Sequence, residues 1–133
     1  MIKPDRPPEP ENATVLVVED EVLIRLMVSD ELRDAGFRVI EAANADDAIA
    51  YLQAGEHADL VFSDVRMPGS MDGIALADKV RTDYPRVRVV LTSGHLLPRE
   101  IRPGLPFLAK PYELGHLRET LEALLQEADD DDA

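Results

Sequence analysis

Along the chain, short runs of aliphatic residues alternate with longer stretches in which apolar positions recur every three or four residues. Thr14–Val18 (TVLVV) lacks polar alternation, the mark of a strand buried on both faces. The spacing then predicts a helix over 21–35, with Leu23, Met27 and the Ile24/Val28/Leu32 row at helical intervals and Gly36 as its stop. Arg38–Ala42 (RVIEA) reads as a second strand. Asn44 is placed to cap a helix that carries Ala45, Ala48, Ile49 and Leu52 on one face, with Asp46 and Asp47 in its first turn and Gly55 at its end. Residues 59–63 (DLVFS) form a third strand. Residues 73–84 form a helix bearing Ala77, Val80 and Tyr84, which Pro85 blocks. Strands four and five fall on 87–91 (VRVVL) and 106–109 (PFLA). The clearest helix is 113–127, where Leu114, Leu117, Leu121, Leu124 and Leu125 make one stripe.

Strands alternating with helices predict an α/β fold, a parallel sheet with helices on both faces. The connection between strands four and five departs from that rhythm. Residues 94–105 include Pro98 and Pro103, so a helix there is a turn or two at most, or absent. The ends differ in character from the body. Residues 1–12 hold four prolines and five charges and read as a disordered leader; 13–127 read as one domain; 128–133 read as an acidic disordered tail.

Composition narrows the function classes. With 14 Lys+Arg against 27 Asp+Glu, the net charge of −13 argues against binding nucleic acid or an anionic membrane surface. Zero Cys excludes disulfides, thiolate chemistry and Cys-rich zinc sites, and fits a cytoplasmic protein. No apolar run is long enough to span a bilayer.

In an open parallel sheet, ligands bind beyond the carboxyl ends of the strands. Glu19 and Asp20 follow strand one, Asp64 follows strand three, Thr92 and Ser93 follow strand four, and Lys110 and Pro111 follow strand five. Three carboxylates, one or two hydroxyls and one ammonium therefore converge on one edge. Clustered carboxylates call for a cation, and hard oxygen ligands suit Mg²⁺. A carboxylate beside such a metal can attack phosphorus and become an aspartyl phosphate. Each element taken singly has a plainer reading: Asp20 and Asp64 as helix caps, Lys110 as a surface residue, Phe107 as core. The conjunction carries the signal.

VLVVEDE, DLVFSDVRMPGSMDG, VVLTSG and PFLAKPYE, in that order, resemble the receiver domain of two-component response regulators, of the chemotaxis-regulator type, over residues 13–127. The resemblance implies a doubly wound, flavodoxin-like fold with a five-stranded parallel sheet in the order 2-1-3-4-5. It implies Asp64 as phosphoacceptor and Mg²⁺ held by Asp20, Asp64 and the backbone carbonyl of Arg66, with Glu19 acting through water. Lys110 would pair with the phosphoryl group, and the Lys110–Pro111 peptide would be cis. Ser93, which precedes the small Gly94, is the first choice for the hydroxyl, and Thr92 is the alternative. Phe107 matches a switch aromatic, and Arg66 and His95 lie where they can tune the reaction. The chain departs from the family in a β3–α3 loop longer by one residue and in a shortened or absent fourth helix.

The function so implied is a stand-alone receiver that takes phosphate from a histidine kinase or a histidine phosphotransfer protein. It would signal to a downstream protein of unknown identity by changing shape. The alternatives are a receiver fragment of a hybrid kinase or longer regulator, and a phosphate shuttle or sink in a phosphorelay. An Asp-nucleophile phosphatase would want an acid two residues after Asp64, where Arg66 stands. Turnover of outside substrates is therefore not expected. Neither nucleic acid nor membrane is an expected partner, and the chain is expected to be a monomer or weak homodimer.

Overall fold

β1 (Thr14–Val18) is buried at every position, and its side chains divide between two layers. Val15 and Val17 join Val28, Leu32, Phe62, Leu117, Leu121 and Leu125 on one face of the sheet. Leu16 and Val18 join Ile49, Leu52, Leu76, Ala77 and Val80 on the other. That division is why the strand reads as an unbroken apolar run. The computed structural model describes residues 13–94 and 104–132.

Around β1 the described elements run α1 (Val22–Asp34), β2 (Arg38–Ala42), α2 (Ala45–Gln53), β3 (Leu60–Asp64), α3 (Gly73–Asp83), β4 (Arg88–Ser93), β5 (Phe107–Ala109) and α4 (Leu114–Asp132). All neighbouring strands are parallel, in the order β2-β1-β3-β4-β5. α1 and α4 cover one face and α2 and α3 the other, so the expected doubly wound sheet is present. The reversal of strand order beside β1 leaves a crevice at the carboxyl edge between β1 and β3.

Three local expectations change. Leu23 and Met27 are 76% and 58% exposed, so of the apolar positions singled out in α1 the Ile24/Val28/Leu32 row alone faces inward. β4 runs on to Ser93, which places both hydroxyls inside the strand rather than after it. α4 continues to Asp132, past the expected end at 127 and into the stretch read as a disordered tail. Ala128 is a strong helix former and the preceding turns are docked, which outweighs the poor helix propensity of aspartate and its placing at the negative end of the helix dipole. The question of a helix between β4 and β5 falls on residues 95–103, outside the described residues.

Gly73 opens α3 with its N–H donating to the Val65 carbonyl at 2.8 Å. A Cβ there would lie 2.2 Å from the Asp64 carbonyl oxygen. Only glycine lets the helix start so close beneath the end of β3.

Candidate functional site

The carboxyl edge carries the chemistry. Glu19 follows β1 directly and is buried, with its N–H donating to the Ala42 carbonyl of β2 at 3.0 Å. Asp20 is exposed, and Asp64, the last residue of β3, is partly buried. One carboxylate oxygen from each of the three lies within 4.8 Å of the other two. Lys110, just past β5, donates from Nζ to Asp64 Oδ2 at 3.1 Å and stands 3.8 Å from Glu19 Oε1.

Neither aspartate is spent on a helix. The cap position of α1 falls on Glu21, and that of α3 on Asp72, whose Oδ1 accepts from the Ala75 N–H at 2.9 Å. The plainer reading of Asp20 and Asp64 as caps is therefore removed.

Three carboxylates face one ammonium, and the excess of negative charge registers on the buried member. Burial, more than any other influence, pushes the Glu19 carboxyl up to about 7. The charge of Asp64 and a hydrogen bond with Asp20 add to the rise. The Glu21 N–H, donated to Glu19 Oε2 at 3.1 Å, and the Lys110 charge oppose it. A buried acid held short of ionisation beside two other carboxylates is the donor set a hard divalent cation completes.

Thr92 lies opposite Asp64 in the β3–β4 register, and Ser93 lies opposite Ala109 in the β4–β5 register. Both are buried. Thr92 Oγ1 finds no hydrogen-bond partner among the described residues, while the Ser93 carbonyl accepts from the Lys110 N–H at 3.1 Å. Phe107, opposite Leu91, is partly buried and packs against the core on the α2/α3 face. Arg66 is exposed on a small cleft with Val65, Met67, Asp72 and Ile74. The Lys110–Pro111 peptide is cis. His95 lies outside the described residues.

Tyr112 was not singled out from the sequence. It lies edge-on to Phe62, ring centroids 5.9 Å apart, and burial pushes its hydroxyl up to about 12, helped by the charges of Glu19 and Asp64. With Ile24, Met27, Lys110, Pro111 and Leu114 it lines an apolar groove beside the acidic edge. Its place directly after Lys110-Pro111 was the available signal. Among the described residues, no helix is long and apolar enough to cross a membrane.

Comparison with known proteins identifies the family. Residues 15–122 match the response regulator receiver domain family. The chain is 35% identical over 126 residues to the sensor kinase CckA of Brucella abortus (strain 2308), which covers 89% of this chain but 13% of that kinase. It is 33% identical over 122 residues to a probable chemotaxis protein CheY of Rhizobium etli, covering 86% of this chain and 93% of the relative. The chain thus spans only 13% to 26% of the length of several curated relatives and nearly all of others. A CheY-like receiver domain protein from Methanospirillum hungatei JF-1 superposes with a TM-score of 0.82, covering 90% of this chain and 98% of its own, at 22% identity, which speaks for the fold alone. With the sheet order, the acidic edge and the family match all falling on the same residues, this chain belongs to the response regulator receiver domain family of two-component signalling.

Proposed function

We propose that Asp64 accepts a phosphoryl group from the phosphohistidine of a histidine kinase or a histidine phosphotransfer protein, and that the chain signals to a downstream protein through the change of shape that follows. One observation carries this reading: Asp64 sits at a strand end between the Lys110 ammonium, at 3.1 Å, and the acid pair Glu19–Asp20, within 4.8 Å. A carboxylate so placed has at hand both a positive partner for the phosphoryl oxygens and a cation-binding set.

In the transfer, an Asp64 carboxylate oxygen attacks phosphorus and the phosphorus–nitrogen bond of the donor breaks. The imidazole leaves with its electron pair and takes up a proton. Lys110 stays with the phosphoryl oxygens. Asp20, Asp64 and the Arg66 backbone carbonyl would hold Mg²⁺, with Glu19 reaching it through water; the ion supplies neutralisation of the charge that develops on the phosphoryl oxygens. Ser93, or Thr92 in its place, donates its hydroxyl to one of those oxygens. Phe107 shares the face of β5 next to Ser93 and is positioned to follow that movement, with Arg66 and His95 as tuning residues. The chain catalyses its own phosphorylation and slow dephosphorylation and turns over no outside substrate.

A stand-alone role is supported by the near-complete coverage of the CheY relative, and the absence of cysteine fits a cytoplasmic location. A second reading, a receiver belonging to a hybrid kinase, is favoured by the identity to CckA. Acetyl phosphate with Mg²⁺ tests the chemistry: borohydride trapping and mass spectrometry should locate one label, on Asp64. EDTA should abolish it. Undiminished labelling of Asp64→Asn at the same peptide, with neighbouring Ser and Thr residues shown to be unmodified, overturns the assignment.

A further inference from the structure

The acid pair is held from behind by a side chain outside the candidate ligand set. Arg25, on the first turn of α1, donates from Nη1 to the Glu19 carbonyl at 2.8 Å and from Nε to Glu41 Oε1 on β2 at 3.1 Å. Its side chain and that of Glu41 are mostly shielded, 18% and 25% exposed. Glu41 is held in turn by Arg33, two turns further along α1, whose Nη2 reaches Glu41 Oε2 at 3.2 Å and the Val39 carbonyl at the same distance.

The Glu19 carbonyl belongs to the same peptide unit as the Asp20 nitrogen. A planar peptide fixed at its oxygen also fixes the Asp20 nitrogen and α-carbon that lie in its plane, and so the point from which the Asp20 side chain leaves the backbone. The other side of Glu19 is fixed too, by its N–H on the Ala42 carbonyl and its carboxylate on the Glu21 N–H. Asp20 itself is exposed, so the packing that locks a buried ligand is not available to it. Its position depends on the backbone that carries it.

We propose that Arg25, anchored by Glu41, is a positioning residue that sets the affinity of the acidic edge for a divalent cation by fixing the Glu19–Asp20 peptide. The inference rests on the cation-binding reading above. It makes a prediction opposite in sign to simple electrostatics. Arg25 is a positive charge near a cation site, so its removal by charge alone would tighten cation binding. Loss of positioning weakens it, and outer-shell partners of this kind typically change metal affinity by about 10- to 100-fold.

Mg²⁺ titration of the folded protein by calorimetry, on wild type, Arg25→Met, Arg25→Lys, Glu41→Gln and Asp20→Asn, tests it. The expected result is about a 10-fold weaker dissociation constant in Arg25→Met, with Glu41→Gln intermediate. Arg25→Lys keeps the charge but loses the two-pronged fork, and should recover only part of the affinity. Melting curves in EDTA separate this from a structural role, which would lower the melting temperature and leave the affinity of the folded protein untouched. Should Arg25→Met fail to fold, Glu41→Gln reads the same bracket from its other end. Unchanged or tighter Mg²⁺ binding in Arg25→Met, or in Glu41→Gln if that variant alone folds, with Asp20→Asn still abolishing it, overturns the inference and leaves the cation site standing. Equal binding in wild type and Asp20→Asn overturns the cation site itself.

Discussion

α1 and α2 each rise from the carboxyl edge of the sheet after a neighbouring strand, yet they are built differently. α2 begins with Asn44, whose Oδ1 accepts from the Asp47 N–H at 2.8 Å, and carries Asp46 and Asp47 in its first turn. It buries Ala45, Ala48, Ile49 and Leu52 and exposes none of its large apolar side chains. α1 begins with Glu21, which makes no side-chain cap bond, and has no acid in its first turn. Val22, Leu23, Leu26 and Met27 face solvent. The difference follows from what each start adjoins. Further carboxylates in the first turn of α1 would add to an edge already rich in negative charge. Its first turn is held instead by the site, through the Glu21 N–H on Glu19, and its side by Arg25 and Arg33 on Glu41. α2 is a local design for stability, and α1 is fitted to its neighbours.

The largest effect that sharpens this contrast comes from the buried faces. Leu52→Ala, in α2, should cost about 2–5 kcal/mol in urea unfolding, whereas Leu23→Ala, in the exposed row of α1, should stay within about 0.5 kcal/mol. Equal losses would mean that the outward face of α1 is covered in solution. Next in size, Asn44→Ala should cost about 1 kcal/mol by removing the α2 cap. Glu21→Ala, measured alongside, should cost clearly less, and a cost as large would show an N-terminal role for Glu21 that its side chain does not reveal.

A further effect depends on pH. Folding raises the Glu19 carboxyl from 4.5 to about 7, so the folded state holds this proton more tightly than the unfolded one. The stabilisation is complete below pH 4.5 and is lost as pH rises towards 7. In EDTA, Glu19→Gln should therefore match wild type at the acid end of that window and gain on it as the pH approaches 7. Paired thermal melts across the window read the difference. A difference that stays flat with pH would show that folding does not raise the Glu19 carboxyl.

Legibility varied with the range of the interaction. Asn44 was visible as a cap because capping is local, a side chain and a backbone N–H three residues apart. Asp64, Glu19, Asp20 and Lys110 were visible because each stands at or just past the end of a strand, and a parallel sheet brings strand ends to one edge. Arg25 was not visible. Its partners are a backbone carbonyl six residues back and a carboxylate on a strand, and a helical arginine five residues past a candidate ligand looks like any solvated charge. Tyr112 was missed because its ring meets Phe62 across fifty residues of chain.

By itself the sequence determined the order of strands and helices, the parallel sheet and the set of residue types at its carboxyl edge. These follow from periodicity and from short-range residue chemistry, which are properties of neighbouring positions. The tertiary structure alone decided which side of α1 faces inward. Ile24 and Leu23 both recur at helical spacing, and only the shape of the surface offered by β1, β2 and α4 admits the row of Val28 and Leu32 and leaves Leu23 in water. It also decided that β4 carries Thr92 and Ser93 within its ladder, since a strand ends where its partner stops pairing, and β5 pairs as far as Ala109. Periodicity places a residue on a face; what that face meets depends on residues far away in the chain.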